Sequence, residues 1–331
     1  MKVAIVGVGS VATGSYLPYL ATRDDVELLY YNRTPEKAAK AAGTFGGTVA
    51  DSLRDLCAQD PDTCLVLTRE TNRHEVAMQL LDLAPKRALF EKPLVAMAGQ
   101  ANVSEDDFFL GREILAKAAA CTCETAMVFN YRFFEQTLRA QRIREERGLG
   151  DVVQVTGLVN YACWSHCIDL IHFFGGSVEE MSALAGDTVR TGGGNESTDA
   201  ALAFKLAGGG AGTIVGTAGP KFSYPLFELT ISFANGRVSF RGLDGDLEVL
   251  DYNGDTHENY AISRQWSRWD HYKNSFGKSL AAYLDTVSAD APPPVPGMAG
   301  LRELQFEAAF RKAIRTGVSI CPDDDFPCDF A

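Results

Sequence analysis

The run Val3-Ala4-Ile5-Val6-Gly7-Val8-Gly9-Ser10-Val11-Ala12 constrains the fold more than any other stretch of the chain. A β-prone apolar segment leads into Gly-x-Gly-x-x-Ala, and Leu17 and Leu20 continue the apolar pattern at helical spacing. Gly7 can make the tight strand-to-helix turn, Gly9 removes a Cβ that would block an approaching diphosphate, and Ala12 lets the helix lie close to its strand. The helix N-terminus adds free N–H groups and the positive end of its dipole. Gly7, Gly9, Ser10, Val11 and Ala12 are therefore expected to cradle the phosphates of a dinucleotide.

The following residues repeat the alternation. Val26–Tyr31 reads as a strand, and Pro35–Ala42 as a helix with Thr34 at its N-cap and Pro35 at its first position. Cys64–Thr68 reads as a strand before a helix from about Asn72 to Leu83, and Arg87–Phe90 as a strand before a helix over Glu105–Ala120. Strands alternating with helices predict a parallel sheet covered on both faces. A dinucleotide-binding domain over residues 1–122 is expected, with a strand at Thr125–Asn130 closing it or opening the next domain.

From Asp151 the texture changes. Val152–Asn160 reads as a strand and about Ser165–Phe174 as an apolar helix. β-rich runs follow at Met181–Ala185, Ala200–Leu206, Ala211–Val215, Leu226–Phe233 and Val238–Arg241. Gly192-Gly193-Gly194, Gly208-Gly209-Gly210 and Asn235-Gly236 punctuate them as turns. Trp269–Val287 reads as a helix, Pro292–Pro296 as a linker, and about residues 300–314 as a final helix that packs back on the first domain. The expected fold class is α/β plus α+β. An N-terminal Rossmann domain precedes a domain over residues 123–331, built on an open, mainly antiparallel sheet with helices on one face.

At 331 residues the chain has length for two cores. It holds no apolar run of about eighteen residues, so no membrane helix is expected. A strand that begins at Lys2 leaves no room for a signal peptide, which points to a cytoplasmic protein. The net charge of −12 argues against nucleic acid or an anionic membrane as partner. Among eight cysteines, Cys121-x-Cys123 and Cys163-x3-Cys167, with His166 inside the latter, lack the paired knuckles of a zinc site. Neither a metal nor disulfides are expected.

Glu91-Lys92-Pro93 ends the strand Arg87–Phe90 abruptly. In an open parallel sheet ligands bind beyond the carboxyl ends of the strands. A lysine there can sit beside a bound cofactor and exchange a proton with a substrate, so Glu91 and Lys92 join the expected site.

Together these segments resemble the glucose–fructose oxidoreductase / inositol dehydrogenase / MocA-like (Gfo/Idh/MocA) family. Gly7-x-Gly9-x-x-Ala12 resembles its dinucleotide turn and Glu91-Lys92-Pro93 its signature. Asn130-Tyr131-Arg132-Phe133 is similar to its strand-end segment, His166-Cys167-Ile168-Asp169-Leu170 to its His-x-Ile-Asp helix, and Pro294-Val295-Pro296-Gly297 through Gly317 to its C-terminal segment. The resemblance implies an NAD(P)-dependent enzyme that moves a hydride to or from a carbon bearing an alcohol or carbonyl, usually on a sugar or cyclitol. It implies that Lys92 and His166 flank the reacting oxygen as catalytic groups, and that the chain forms a homodimer or homotetramer through its C-terminal sheet. A carbinol carbon releases hydride only if its hydroxyl proton is taken, and a lysine charge stabilises the alkoxide that develops. One position departs from the pattern: the family's aspartate four residues before the histidine is Ala162 here. Tyr161, Ser165 and Asp169 are the neighbours that could replace it, with Asp169 expected to brace the helix.

Cofactor choice is read at the end of the second strand, Asn32-Arg33-Thr34, with Lys37 a turn later. No carboxylate stands there to accept ribose hydroxyls, and Arg33 can stack on adenine and contact a 2′-phosphate. NADP(H) is the favoured cofactor and NAD(H) the other candidate. Thr68 and Asn72 complete the expected cofactor set. Tyr131, Arg132 and Trp164 join Lys92 and His166 as expected substrate contacts, Trp164 as an apolar platform. His74 reads as structural, His172 as packed or exposed, and His271 and Tyr272 as residues within reach of the pocket. The leading expectation is an NADP(H)-dependent oxidoreductase acting on a sugar, sugar nucleotide or polyol. Ala162 keeps open a catalytically inactive dinucleotide-binding sensor of the same fold, and the short connection before His166 a reductase of an imine or other non-sugar carbonyl.

Overall fold

Apolar strands without alternation are buried on both faces, which requires helices on either side of their sheet. The computed structural model describes residues 1–192, 194–219 and 226–330. In it β1 (Lys2–Val6), β2 (Glu27–Tyr31), β3 (Thr48–Val49), β4 (Thr63–Val66), β5 (Arg87–Phe90) and β6 (Glu124–Met127) form one sheet in the order β3-β2-β1-β4-β5-β6. Every neighbouring pair is parallel. A π-helical turn over Ala12–Tyr16 leads into α1 (Leu17–Leu20), and α2 (Pro35–Phe45), α3 (Leu53–Cys57), α4 (Glu70–Leu81) and α5 (Glu105–Ala120) make the remaining connections. The strand order reverses between β1 and β4, and a ligand crevice opens beyond the strand ends at such a reversal. Pairing of β6 with β5 carries this sheet to Met127, so the boundary expected after residue 122 falls too early.

Beyond α6 (Glu135–Arg147), β7 (Val152–Asn160) and α7 (Trp164–Gly175) the chain builds the second sheet. Its strands are β7, β8 (Val178–Gly192), β9 (Asn195–Leu206), β10 (Ala211–Thr217), β11 (Phe227–Phe233), β12 (Gly236–Arg241), β13 (Leu247–Asp251) and β14 (Thr256–Tyr260). They lie in the order β14-β13-β12-β11-β7-β10-β9-β8, with only β7 and β10 parallel. Alternating burial along β9 and β11 marks one covered and one open face. Phe174 of α7 packs edge-on against Phe233 at 6.4 Å, closing the covered face. Gly193 of the expected glycine turn lies outside the described residues; Gly192 and Asn195 pair across that end. Among the elements not foreseen are β3, α6, β13, β14 and α10.

α8 (Arg268–Ser288), α9 (Gly297–Thr316) and α10 (Pro322–Asp325) complete the chain. No helix among the described residues is long and apolar enough to cross a membrane. α9 runs between the two sheets. At Gly300 a Cβ would stand 2.7 Å from the Met127 sulfur, so glycine is what admits α9 against β6. On its other side Phe306 meets Phe204 of β9 edge-on at 5.7 Å.

α9 also carries a buried acid pair one turn apart. Glu303 and Glu307 are fully buried; neither carboxylate oxygen of Glu303 has a hydrogen-bond partner among the described residues, and the Trp164 indole faces Glu307. Burial, reinforced by the neighbouring carboxyl, pushes Glu303 well above the usual range. Burial pushes Glu307 up to about 8 against the opposing pull of Arg311. A carboxyl held neutral in the fold but ionised when unfolded gives stability that is full below its unfolded pKa and is lost as pH rises through the folded value. Thermal stability should therefore fall between about pH 5 and 8.5, and Glu307→Gln should gain on the wild type progressively over that range. Melting curves across pH check this; a constant difference between the two proteins would mean that Glu307 is ionised in the fold.

Candidate active site

The glycine turn closes against the neighbouring strand end. Gly7 has φ +96°, and a Cβ there would lie 2.8 Å from the Thr68 nitrogen. Its N–H donates to the Tyr31 carbonyl at 3.0 Å, while the Val8 N–H donates to Asn32 Oδ1 at 2.9 Å. The Asn32 Nδ2 donates to the Thr34 carbonyl. Asn32, expected to face the cofactor ribose, is thus occupied in fixing the turn itself. Around Gly9 a Cβ would meet nothing within 4 Å, and Ala12 is fully buried beneath it. Open space over the second glycine and a helix start behind it fit a dinucleotide's diphosphate.

The Glu91-Lys92-Pro93 turn is held from inside. Its Lys92–Pro93 bond is cis. The Tyr16 hydroxyl donates to Glu91 Oε1 at 2.7 Å, and the Lys92 N–H donates to Oε2 at 2.6 Å. Burial first, and the Glu91 charge second, hold the Tyr16 phenol well above its usual pKa, so it stays a donor. Arg73, only 2% exposed, donates Nη1 to the carbonyls of Glu91 (2.6 Å) and Pro93, and Nη2 to that of Thr68 at 2.6 Å. Lys92 Nζ turns away from Glu91 and donates to Gln100 Oε1 at 3.1 Å, and Gln100 Nε2 donates to Asn195 Oδ1 at 3.3 Å.

Both turns open on one cleft of about 530 Å³. Gly9, Ser10, Val11, Lys37, Thr68, Arg69 and Glu70 are in its lining. So are Arg73, Glu91, Lys92, Gln100, Tyr131, Ala162, Cys163, Trp269 and Tyr272. Arg33 and Thr34, expected beside the adenosine, are exposed and outside this lining, and Thr34 makes no side-chain cap. Asn72 also lies outside it, one turn into α4.

The expected substrate residues divide. Tyr131 lines the cleft, but His166 does not. The imidazole is 1% exposed and lies flat under the Tyr131 ring, centroids 3.9 Å apart and planes 7° from parallel. Neither ring nitrogen has a hydrogen-bond partner among the described residues. Burial, then the nearby Lys92 charge, hold its pKa well below the usual value, so the ring is neutral. With helix α7 starting at Trp164, directly after the short turn Tyr161–Cys163, His166 falls on the buried side of the first turn. The imidazole thus lies outside the cleft lining, where the expectation had it beside the reacting oxygen. Trp164 is a core residue, edge-on to Tyr161 and Phe310, not a platform. Arg132 pairs bidentately with buried Asp169 at 2.8 and 2.6 Å, tying the Asn130–Phe133 turn to α7 instead of facing the cleft. Burial raises the Asp169 carboxyl and Arg132 pulls it back. Tyr272 reaches the cleft, while His271 contacts the Ser263 carbonyl, His74 pairs with Glu113 and His172 contacts the Gly176 carbonyl.

A sequence model described as "Oxidoreductase family, NAD-binding Rossmann fold" (GFO_IDH_MocA) matches residues 1–104. The matched region ends just before α5 and takes in the glycine turn and the Glu91-Lys92-Pro93 turn. No curated protein matches by sequence. Solved structures share the fold along almost the whole chain. An oxidoreductase from Agrobacterium radiobacter, in complex with NAD+, L-tartaric acid and magnesium, is 14% identical with a TM-score of 0.80, covering 98% of this chain and 99% of its own. The WlbA dehydrogenase from Bordetella pertussis, in complex with NADH and UDP-GlcNAcA, is 18% identical with a TM-score of 0.73, covering 97% and 98%. A super-repressor mutant of Gal80p from Saccharomyces cerevisiae is 13% identical with a TM-score of 0.80, covering 98% of both chains.

Sequence reasoning missed Arg69, Arg73, Gln100, Cys163 and Trp269 as members of the cleft lining. Arg73 left a signal. The buried positions of α4 are Arg73, Ala77, Leu80 and Leu81, so an arginine occupies the first place of an apolar stripe at helical spacing. Arg73→Met should strand buried carbonyls and cost on the order of 3 kcal/mol. The urea midpoint reads this directly; an unchanged midpoint would show that the Lys92–Pro93 turn holds without the guanidinium.

Proposed function

We propose that this protein is an NADP(H)-dependent oxidoreductase that moves a hydride to or from an alcohol or carbonyl carbon of a sugar, sugar nucleotide or polyol. The observation that carries the reading is the opening of Lys92 onto the same cleft as Gly9, Ser10 and Val11, its Nζ held by the uncharged Gln100 amide. A nicotinamide bound there would supply or accept the hydride. Lys92 holds or gives the proton at the substrate oxygen, and its charge stabilises that oxygen as it becomes an alkoxide. The helical turn after Gly9 binds the diphosphate, and Thr68 lies at the strand end beside it.

Support for NADP(H) comes from the charges around the cofactor end. Lys37 and Arg69 line the cleft together with one carboxylate at the start of α4, Glu70, and no carboxylate ends β2. With Arg33 outside the lining, the 2′-phosphate falls to Lys37 and Arg69. In a fluorescence titration of cofactor-free protein, NADPH should bind more tightly than NADH. Lys37→Ala with Arg69→Ala should weaken NADPH about tenfold or more and leave NADH unchanged. Tighter binding of NADH would reverse the cofactor assignment. A screen of sugar carbonyls for NADPH oxidation then tests the reaction.

A second reading is a dinucleotide-binding regulator on the same fold. It is favoured by Ala162 at the cleft wall and by a histidine that is buried away from it. Tight NADPH binding with no turnover of any carbonyl would support it.

We also propose that two or four copies assemble through the open face of the second sheet. Leu158, Val215, Ala201 and Leu184 are successive cross-strand neighbours on β7, β10, β9 and β8, and Leu184 is 76% exposed. An apolar row of this kind is unfavourable in water and suits a symmetric contact. Leu158→Asp should reduce the mass seen by light scattering to that of one chain; a monomeric wild type would remove the proposal.

A further inference from the structure

Resting on the oxidoreductase reading, we propose that the Tyr131 hydroxyl is the second group, beside Lys92, that holds the reacting oxygen of the substrate, and that His166 is its platform instead of an acid or base. Tyr131 and Lys92 both line the cleft, and buried His166 lies against the Tyr131 ring outside that lining. The Tyr131 ring is clamped on several sides: it lies flat on His166 at 3.9 Å, edge-on to Phe134 at 5.0 Å and tilted on Phe227 at 5.4 Å. Phe129 backs the imidazole edge-on at 6.1 Å. This packing gives the phenol one direction, and its oxygen stands 3.1 Å from Cys163 Sγ, another cleft residue. A thiol is a weak hydrogen-bond partner, so the hydroxyl proton is free to turn to a carbonyl or alkoxide oxygen at little cost. Burial, with Cys163 next, keeps the phenol well above its usual pKa and therefore a donor.

In the reductive direction the carbonyl carbon takes the hydride, the C=O π pair moves onto oxygen, and Lys92 delivers the proton that completes the hydroxyl. Water restores the proton to Lys92. The Tyr131 hydroxyl keeps its own proton and donates a hydrogen bond to that oxygen, most strongly when the oxygen is negative, which is where a fixed donor accelerates a reaction. Oxidation runs through the same contacts in reverse.

The test uses the full-length protein with NADPH and a carbonyl substrate that the wild type reduces. Tyr131→Phe keeps the ring on His166 and removes only the hydroxyl. It should lower kcat by about a hundredfold, with KM and NADPH affinity unchanged. His166→Phe keeps an aromatic platform without ring nitrogens and should hold kcat within about threefold. Equal melting temperatures and NADPH affinities show that both variants are folded. Wild-type kcat in Tyr131→Phe, a change confined to KM, or an equal loss in His166→Phe would each overturn the role of Tyr131. Turnover that survives Lys92→Met would instead remove Lys92 from the proton transfer and leave Tyr131 to be judged by its own variant. A wild type that binds NADPH and reduces no carbonyl would overturn both the reading and this role.

Discussion

One buried guanidinium sets the geometry on which the site depends. Arg73 reaches from α4 to the carbonyls of Thr68, Glu91 and Pro93, which belong to the segments that leave β4 and β5. Those segments carry the wall behind the glycine turn on one side and Lys92 on the other. Burial works against its charge, and the nearby carboxylates Glu91 and Glu70 favour it. Glu91 in turn accepts from Tyr16 and from the Lys92 amide. The guanidinium is costly to bury and is engaged through both Nη atoms, while its Nε has no partner among the described residues. Its effect is that the Glu91-Lys92-Pro93 backbone is held in one position at the cleft.

The alternation of strand and helix before residue 127 was legible where strands are buried on both faces, as in β1, β4 and β5; β3, exposed at both residues, was not. Ser104 and Asp107 form a reciprocal cap at the start of α5, whose limits agree with the periodicity. What escaped was structure defined by pairing instead of burial. β14, Thr-His-Glu-Asn-Tyr, is an edge strand with no buried residue, and only its ladder with β13 makes it one. α6 is strongly polar and buries only Gln136, Thr137, Ala140 and Ile143, too thin a stripe to stand out. In the site, the motifs located the cleft but not the direction of each side chain. Asn32, Arg132, Trp164 and His166 were all placed in the right segments and all point elsewhere, because hydrogen bonds and ring packing decide orientation within a turn of helix.

Arg73, Glu91 and Lys92 are charged residues of the cleft lining, and Gln100, Tyr131, Cys163 and Tyr272 add uncharged hydrogen-bonding groups, while Ala162 offers none. Burial holds the Cys163 thiol up to about 11 and keeps Tyr131 and Tyr272 protonated as well. Those three groups therefore stay constant in charge across the neutral range.

The position of α9 bears on how the molecule can be divided. In chain order there are two sheets, and a cut near residue 127 looks natural. Yet the last long helix lies against β6 through Gly300 and against β9 through Phe306. A fragment ending after β6 would leave Met127 and the adjoining side of α5 uncovered, and a fragment starting there would keep α9 with half of its surface bare. The Rossmann unit is thus a pattern that can be recognised alone but takes part of its cover from a helix far along the chain. α9 is the strut that the two sheets share, so neither sheet has its full packing without it.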